Sequence, residues 1–265
     1  MFRKSLTKAP ADTKPANGTK GTVQKDEWSE LGKTAVLAIL IALIIRTFLF
    51  EPFNIPSGSM IPNLLVGDYL FVSKYSYGYS RHSFPFGMGG FDGRIMEKMP
   101  ERGDIAVFKL PTNTSVDYIK RVIGLPGDTV QVNRGQLYIN DTLVPRQLIG
   151  SGSYNEYGGT TIPVREYKET LPNGKQIHIF EISDNDMFDN TDKITVPPGH
   201  VFMMGDNRDN SRDSRDKDLV GFVPVENLVG KAEFLFFSTD GSANIVEIWK
   251  WPFAIRWNRL FKALD

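Results

Sequence analysis

Residues 34–50 read TAVLAILIALIIRTFLF, an apolar run broken by a single charge, Arg46. A segment apolar on every side must be buried in a core or held in a bilayer. As a helix it reaches about 25 Å at 1.5 Å per residue, the short end of what spans a membrane. Arg46 is costly at a bilayer centre, but four residues from the end its long stem carries the charge to the headgroups. EPFNIP follows without a small-x-small site and a long tail precedes, which argues against a cleaved leader. The run is expected to be an uncleaved membrane anchor.

Charge then gives a topology. Lys+Arg and Asp+Glu both number 31, for a net charge of zero. Residues 1–33 hold seven basic and four acidic side chains, a net of +3, so the remainder carries −3. By the positive-inside rule the tail lies in the cytoplasm and everything after about Glu51 lies outside. The tail is rich in Lys, Thr, Ala and Gly without apolar periodicity, so residues 1–33 are expected to be disordered. Without a net basic field, nucleic acid is not an expected partner.

After the anchor come short β-prone runs between Gly, Pro and Asn turns: 69–75, 104–110, 118–124, 128–133, 136–141 and 232–238. Pro172-Asn173-Gly174-Lys175 between REYKETL and QIHIFEI marks a hairpin. The expected fold is mostly β: an antiparallel β domain over 51–265, with an inserted second β lobe at about 133–196, preceded by one transmembrane helix at 34–50.

The chain has no cysteine and three histidines, His82, His178 and His200, none in a His-Glu-x-x-His arrangement. Disulfides, thiolate metal sites and cysteine nucleophiles are excluded, and neither a metal site nor a cofactor is expected. Hydroxyls, lysines and carboxylates remain. Ser59 stands in Ile55-Pro56-Ser57-Gly58-Ser59-Met60-Ile61-Pro62, where two prolines stiffen the loop and Gly58 allows an unusual backbone geometry, as presentation of a hydroxyl requires; a simple turn is the alternative. In Tyr118–Gly124, strand alternation puts Lys120 on the face of Tyr118 and Val122. If buried there it loses its proton readily and suits a general base; if it snorkels from an edge it does neither. The third element, GDNRDNSRDSR at 205–215, folds on itself through Asp, Asn and Ser side chains, either at a site or as a solvated turn. Counted from Asp206 it is a poor calcium loop, with Arg208 at the third position and Ser211 at the sixth.

Together PSGSMIPNL (56–64), GDYLFVSKYSYG (67–78), RGDIAVFKLP with DYIKRVIGLPGD (102–128) and GDNRDNSRDSR (205–215) resemble bacterial type I signal peptidase, in that family's order and behind an N-terminal anchor. The resemblance implies a membrane-anchored serine protease that removes signal peptides after small-x-small sites. It implies Ser59 as nucleophile, Lys120 as general base and Ser57 as a donor to the oxyanion hole. Ser211 would hydrogen-bond and orient Lys120, Asp213 and Arg215 would support the site, and Ile55 and Ile119 would shape the substrate pockets. It also implies residence in the bacterial inner membrane with the catalytic domain on the periplasmic side, signal peptides as substrates, and proximity to the export translocon. Asn63 departs from the family's usual Thr, and residues 216–220 lengthen the link from Arg215 to GFVP.

The segment 249–265 holds three of the four tryptophans among Lys250, Arg256, Arg259 and Lys262. Such an amphipathic segment suits a lipid headgroup interface, or a terminal helix packed on the β domain. A non-catalytic extracytoplasmic binding module is the competing function, but it gives no reason to hold Ser59, Lys120 and Ser211 together. A self-cleaving Ser/Lys repressor is a third, and it would need a DNA-binding domain where the anchor stands.

Overall fold

The computed structural model describes residues 20–84, 90–155, 160–244 and 246–264, with the side chains of 20–27 left aside. The helix Lys20–Phe48 carries the apolar run, and Trp28–Phe48 within it is long and apolar enough to cross a membrane. Two boundaries differ from expectation. Residues 20–33, expected to be disordered, continue the helix: once the apolar turns form, each further residue adds a hydrogen bond at little cost, and Gln24, Lys25, Glu27 and Glu30 are good helix formers. Residues 1–19 lie outside the described residues. At the other end the helix stops at Phe48 and Phe50 already belongs to a strand, Phe50–Asn54. Arg46 in the last turn pairs with Glu51 at 3.0 Å, and Glu51 also takes Lys74 at 2.8 Å.

Residues 44–265 form one compact unit. Its main sheet has seven strands in the order Phe50–Asn54, Asp68–Ser73, Leu228–Ser238, Ile105–Leu110, Asn113–Gly124, His200–Met204 and Val223–Pro224. Neighbours pair antiparallel throughout, as the alternating runs predicted. Two further sheets lie between Gly124 and His200: a three-stranded one built on Arg146–Asn155, Thr161–Thr170 and Gln176–Glu181, and a four-stranded one that begins at Thr129–Asn133. The Asn173-Gly174 hairpin joins the last two strands of the former, with Gly174 at φ +85°.

Three buried apolar clusters explain the arrangement. One, around Ile55, Met60, Leu70 and Leu235, lies under the Ser59 loop. A second, around Ala106, Phe108, Val122 and Met203, lies under the middle strands. The third joins Ile123, Phe202 and Met204 of the main sheet to Val130, Leu137 and Ile179 of the inserted sheets, so the insertion shares a core with the sheet rather than owning one.

The C-terminal segment is not a helix of any length. It makes two short turns, Trp251–Ala254 and a 3₁₀ turn at Trp257–Arg259, and is held to the strand Leu228–Ser238 by bonds such as Leu235 N–H to Lys262 O and Leu264 N–H to Glu233 O. Pro252 and the β-branched and aromatic residues around it leave no long helical stretch.

Candidate active site

Ser59 sits in a short 3₁₀ turn, Gly58–Met60, capped by Ser57. The first N–H groups of such a turn have no partner inside it, which frees the Ser59 backbone N–H to act as a donor. Gly58 is not among the glycines at positive φ; close approach requires glycine at Gly205. A Cβ on Gly205 would lie 2.2 Å from Ser211 Oγ and 2.6 Å from the Ser59 carbonyl oxygen. Gly205→Ala therefore has to displace Ser59, and we expect a loss on the order of 100-fold in kcat/KM, read by steady-state kinetics beside a thermal melt.

Lys120 lies on Asn113–Gly124 opposite Ala106 of the neighbouring strand. Its Nζ is 2.7 Å from Ser59 Oγ and donates to Ile119 O at 3.0 Å. Lys120 is 4% exposed and Ser59 8%. Burial lowers the Lys120 ammonium to about 8, against the opposing pull of Asp213 and Asp206. A substantial neutral fraction near neutral pH, next to a hydroxyl, is what proton abstraction from serine needs. Arg121, on the opposite face of the same strand, forms a buried bidentate pair with Asp206 at 2.8 and 2.7 Å, and this fixes the strand against the 205–215 loop.

That loop closes over the Ser59 turn. Asn207 donates its backbone N–H to Ser59 O at 3.1 Å and its side-chain amide to Gly58 O at 3.0 Å. Ser211 differs from expectation: its hydroxyl donates to Asp213 Oδ2 at 2.8 Å rather than bonding Lys120, because an ionised carboxylate is the strongest acceptor within reach. Asp213 also accepts from Gly205 N–H and from Arg215 Nε and Nη2. Burial alone would raise the Asp213 carboxyl, but Arg215 and these donors hold it below its ordinary value. Asn63, the residue that departs from the family's Thr, donates to Asp206 Oδ2 and to His178 O. Residues 216–220 fold back through Val220 N–H to Asp216 O, and Leu219 O accepts from Thr112.

A cleft of about 1020 Å³ opens on the pair, lined by Ser57, Ser59, Ile119, Lys120, Ser211, Val116 and Phe188 among others. Ser57 is exposed and its hydroxyl caps no backbone group. Ile119 is on the wall of the cleft; Ile55 is 2% exposed among Met60 and Leu64, behind it. Residues 117–120 pair with Ala106–Lys109 on one side, whereas His200–Met204 pairs on the other only from Arg121 onward, which leaves an open strand edge beside Ser59 among the described residues.

Asn207, Gly205 and the Arg121–Asp206 pair carry no assigned role in the sequence reading, although Asp206 and Asn207 stand inside the motif that drew attention to the loop. A separate group of carboxylates, Glu181, Asp189 and Asp209, lies close enough together to hold a metal ion.

A family model described as "Signal peptidase, peptidase S26" matches residues 28–237. Signal peptidase I of Rickettsia conorii is 43% identical over 265 residues, covering 94% of this chain and 97% of that protein. Signal peptidase I of Rickettsia typhi is 44% identical over 243 residues, covering 85% and 90%. A crystal structure of a signal peptidase I from Enterococcus faecalis, 29% identical, covers 51% of this chain and 97% of its own at a TM-score of 0.31. A hydroxyl and a depressed lysine at hydrogen-bond distance in an open cleft fit that company: the chain is a serine endopeptidase and belongs to the signal peptidase family, peptidase S26.

Proposed function

We propose that this membrane-anchored peptidase removes N-terminal signal peptides from exported preproteins after small-x-small sites, with Ser59 as nucleophile and Lys120 as general base. The 2.7 Å contact between a buried lysine amine and a serine hydroxyl carries the reading. Neutral Lys120 takes the Ser59 proton as Oγ attacks the scissile carbonyl, and the oxyanion meets the Ser59 N–H and the Ser57 hydroxyl. Lys120 then gives its proton to the leaving amine, and in its neutral form activates water to release the acyl group. Asp213 and Arg215 brace the loop, and Ser211 acts through Asp213. The substrate binds as an added strand along the open edge at 117–120, its small side chains entering beside Ile119, with Ile55 backing the pocket.

The same reading places residues 1–33 in the cytoplasm, the anchor in the bacterial inner membrane and residues 51–265 on the periplasmic side, near the export translocon. Trp249, Phe253, Trp257 and Phe261 are all exposed, and beside Lys250 and Lys262 they support contact of the C-terminal segment with lipid headgroups.

The pH dependence of precursor cleavage tests the base. Only neutral Lys120 is competent, so kcat/KM rises about tenfold per pH unit on the acid side and levels off above a midpoint near the Lys120 value of about 8. A midpoint at the ordinary lysine value would overturn Lys120 as the base.

A further inference from the structure

Glu181, Asp189 and Asp209 converge from three segments, with one oxygen of each within 4.8 Å of the others. Glu181 ends the strand Gln176–Glu181, Asp189 lies in the loop after it, and Asp209 belongs to the 205–215 loop. Glu181 is 1% and Asp189 0% exposed, and each has an oxygen with no hydrogen-bond partner, Oε2 and Oδ1 respectively. A buried carboxylate oxygen left unpaired is costly, and two in one cluster point to a ligand that both could bind. The other oxygens are anchored. Arg146 Nη1 donates to Glu181 Oε1 at 3.0 Å, Asp186 N–H to Asp189 Oδ2 at 2.6 Å, and Ile182 and Ser183 N–H to Asp209 Oδ2 at 2.7 and 2.9 Å. One shared proton joins only one pair of oxygens, whereas a cation engages all three carboxylates.

We propose that Glu181, Asp189 and Asp209 form a binding site for a divalent cation of the hard, oxygen-coordinating class, with Ca²⁺ as its occupant and water completing the shell. Three arginines stand near, and their ion pairs are made largely elsewhere: Arg146 also with Asp184, Arg215 with Asp213, and Arg208 with Glu169 through its two Nη atoms, its buried Nε–H having no partner. Asp209 is half-buried and lines the cleft, which gives the ion a way in. An ion here joins the inserted sheet to the loop that carries Ser211 and Asp213, so it stiffens one wall of the cleft.

The test uses the full chain in detergent micelles, stripped with a chelator, at neutral pH. Calorimetric titration with CaCl₂ should show one saturable site. At about 100 times Kd the melting midpoint should rise by roughly 5–10 °C over the chelator control, with NaCl matching the ionic strength. Asp189→Asn and Glu181→Gln should each weaken Ca²⁺ binding at least about tenfold, as expected for loss of one charged ligand. No saturable heat and no midpoint shift in the unsubstituted chain with Ca²⁺, Mg²⁺ or Mn²⁺ would overturn the site, whether or not the variants fold. Binding unchanged in both variants would overturn its location.

Discussion

Lys120→Met abolishes precursor cleavage and makes the protein more stable. The loss is about 10⁴-fold or more in kcat/KM, because the hydroxyl then has no base and no histidine stands near to replace it. The gain follows from linkage. Burial lowers Lys120 from 10.5 to about 8, so below pH 8 the folded state holds a charged amine that the unfolded chain solvates freely. At about 1.4 kcal/mol per pH unit, that burden is on the order of 3 kcal/mol at neutral pH. It shrinks as pH rises from about 8, since the folded chain then gives up the proton before the unfolded one does, and it is gone above 10.5. The stability advantage of Lys120→Met over the parent should therefore be largest at or below neutral pH and vanish in alkali, as read by denaturant melts across pH. Ser59→Ala should lose activity as completely but gain little stability, because the buried amine stays. A Lys120→Met protein that still cleaves would end the dyad reading, and one less stable than the parent at neutral pH would end the account of its burden.

What was legible in the sequence was the chemistry carried on short local patterns. The Ser59 loop, the alternation that put Lys120 with Tyr118 and Val122, and the 205–215 run all fall where the structure joins them. Strand alternation decides a face, which set Lys120 with Tyr118 and Val122 and Arg121 opposite, but burial and partners came only with the fold. What was not legible depends on distances across the fold. The contact between Lys120 and Ser59 joins residues 61 apart in the chain, and only packing sets its 2.7 Å. Ile55, which the resemblance puts at a substrate pocket, is buried in the core with Met60 and Leu64, a packing that its place beside Pro56 does not announce. The carboxylates at 181, 189 and 209 come from two loops and a strand end with no spacing that announces them. The helix start failed for a different reason. Residues 20–33 have no apolar period of their own and borrow their helicity from the turns that follow.

Asp213→Asn should cost about 3–5 kcal/mol of stability, on the order of 10 °C in the melting midpoint for a unit of this size. Asp213 and Arg215 have side chains 0% and 1% exposed, joined at 2.8 Å, and the carboxylate also accepts from Gly205 N–H and Ser211. Asparagine keeps the shape and one acceptor oxygen, but it leaves the Arg215 charge buried without its counterpart, and its amide meets donors where the second oxygen was. Removing one partner of a buried pair is worse than removing both. The double substitution Asp213→Asn with Arg215→Met should therefore cost less than the sum of the two singles, by on the order of 1–3 kcal/mol. Activity separates bracing from catalysis. With Asp213 neutral, Lys120 loses the first of the carboxylates that favour its charged form, so its value falls below about 8 and the acid limb of the pH profile moves to lower pH in whatever fraction folds. A purely structural carboxylate would lower the amount of active enzyme and leave that limb in place. Thermal melts and pH–rate profiles on the same preparations decide between the two.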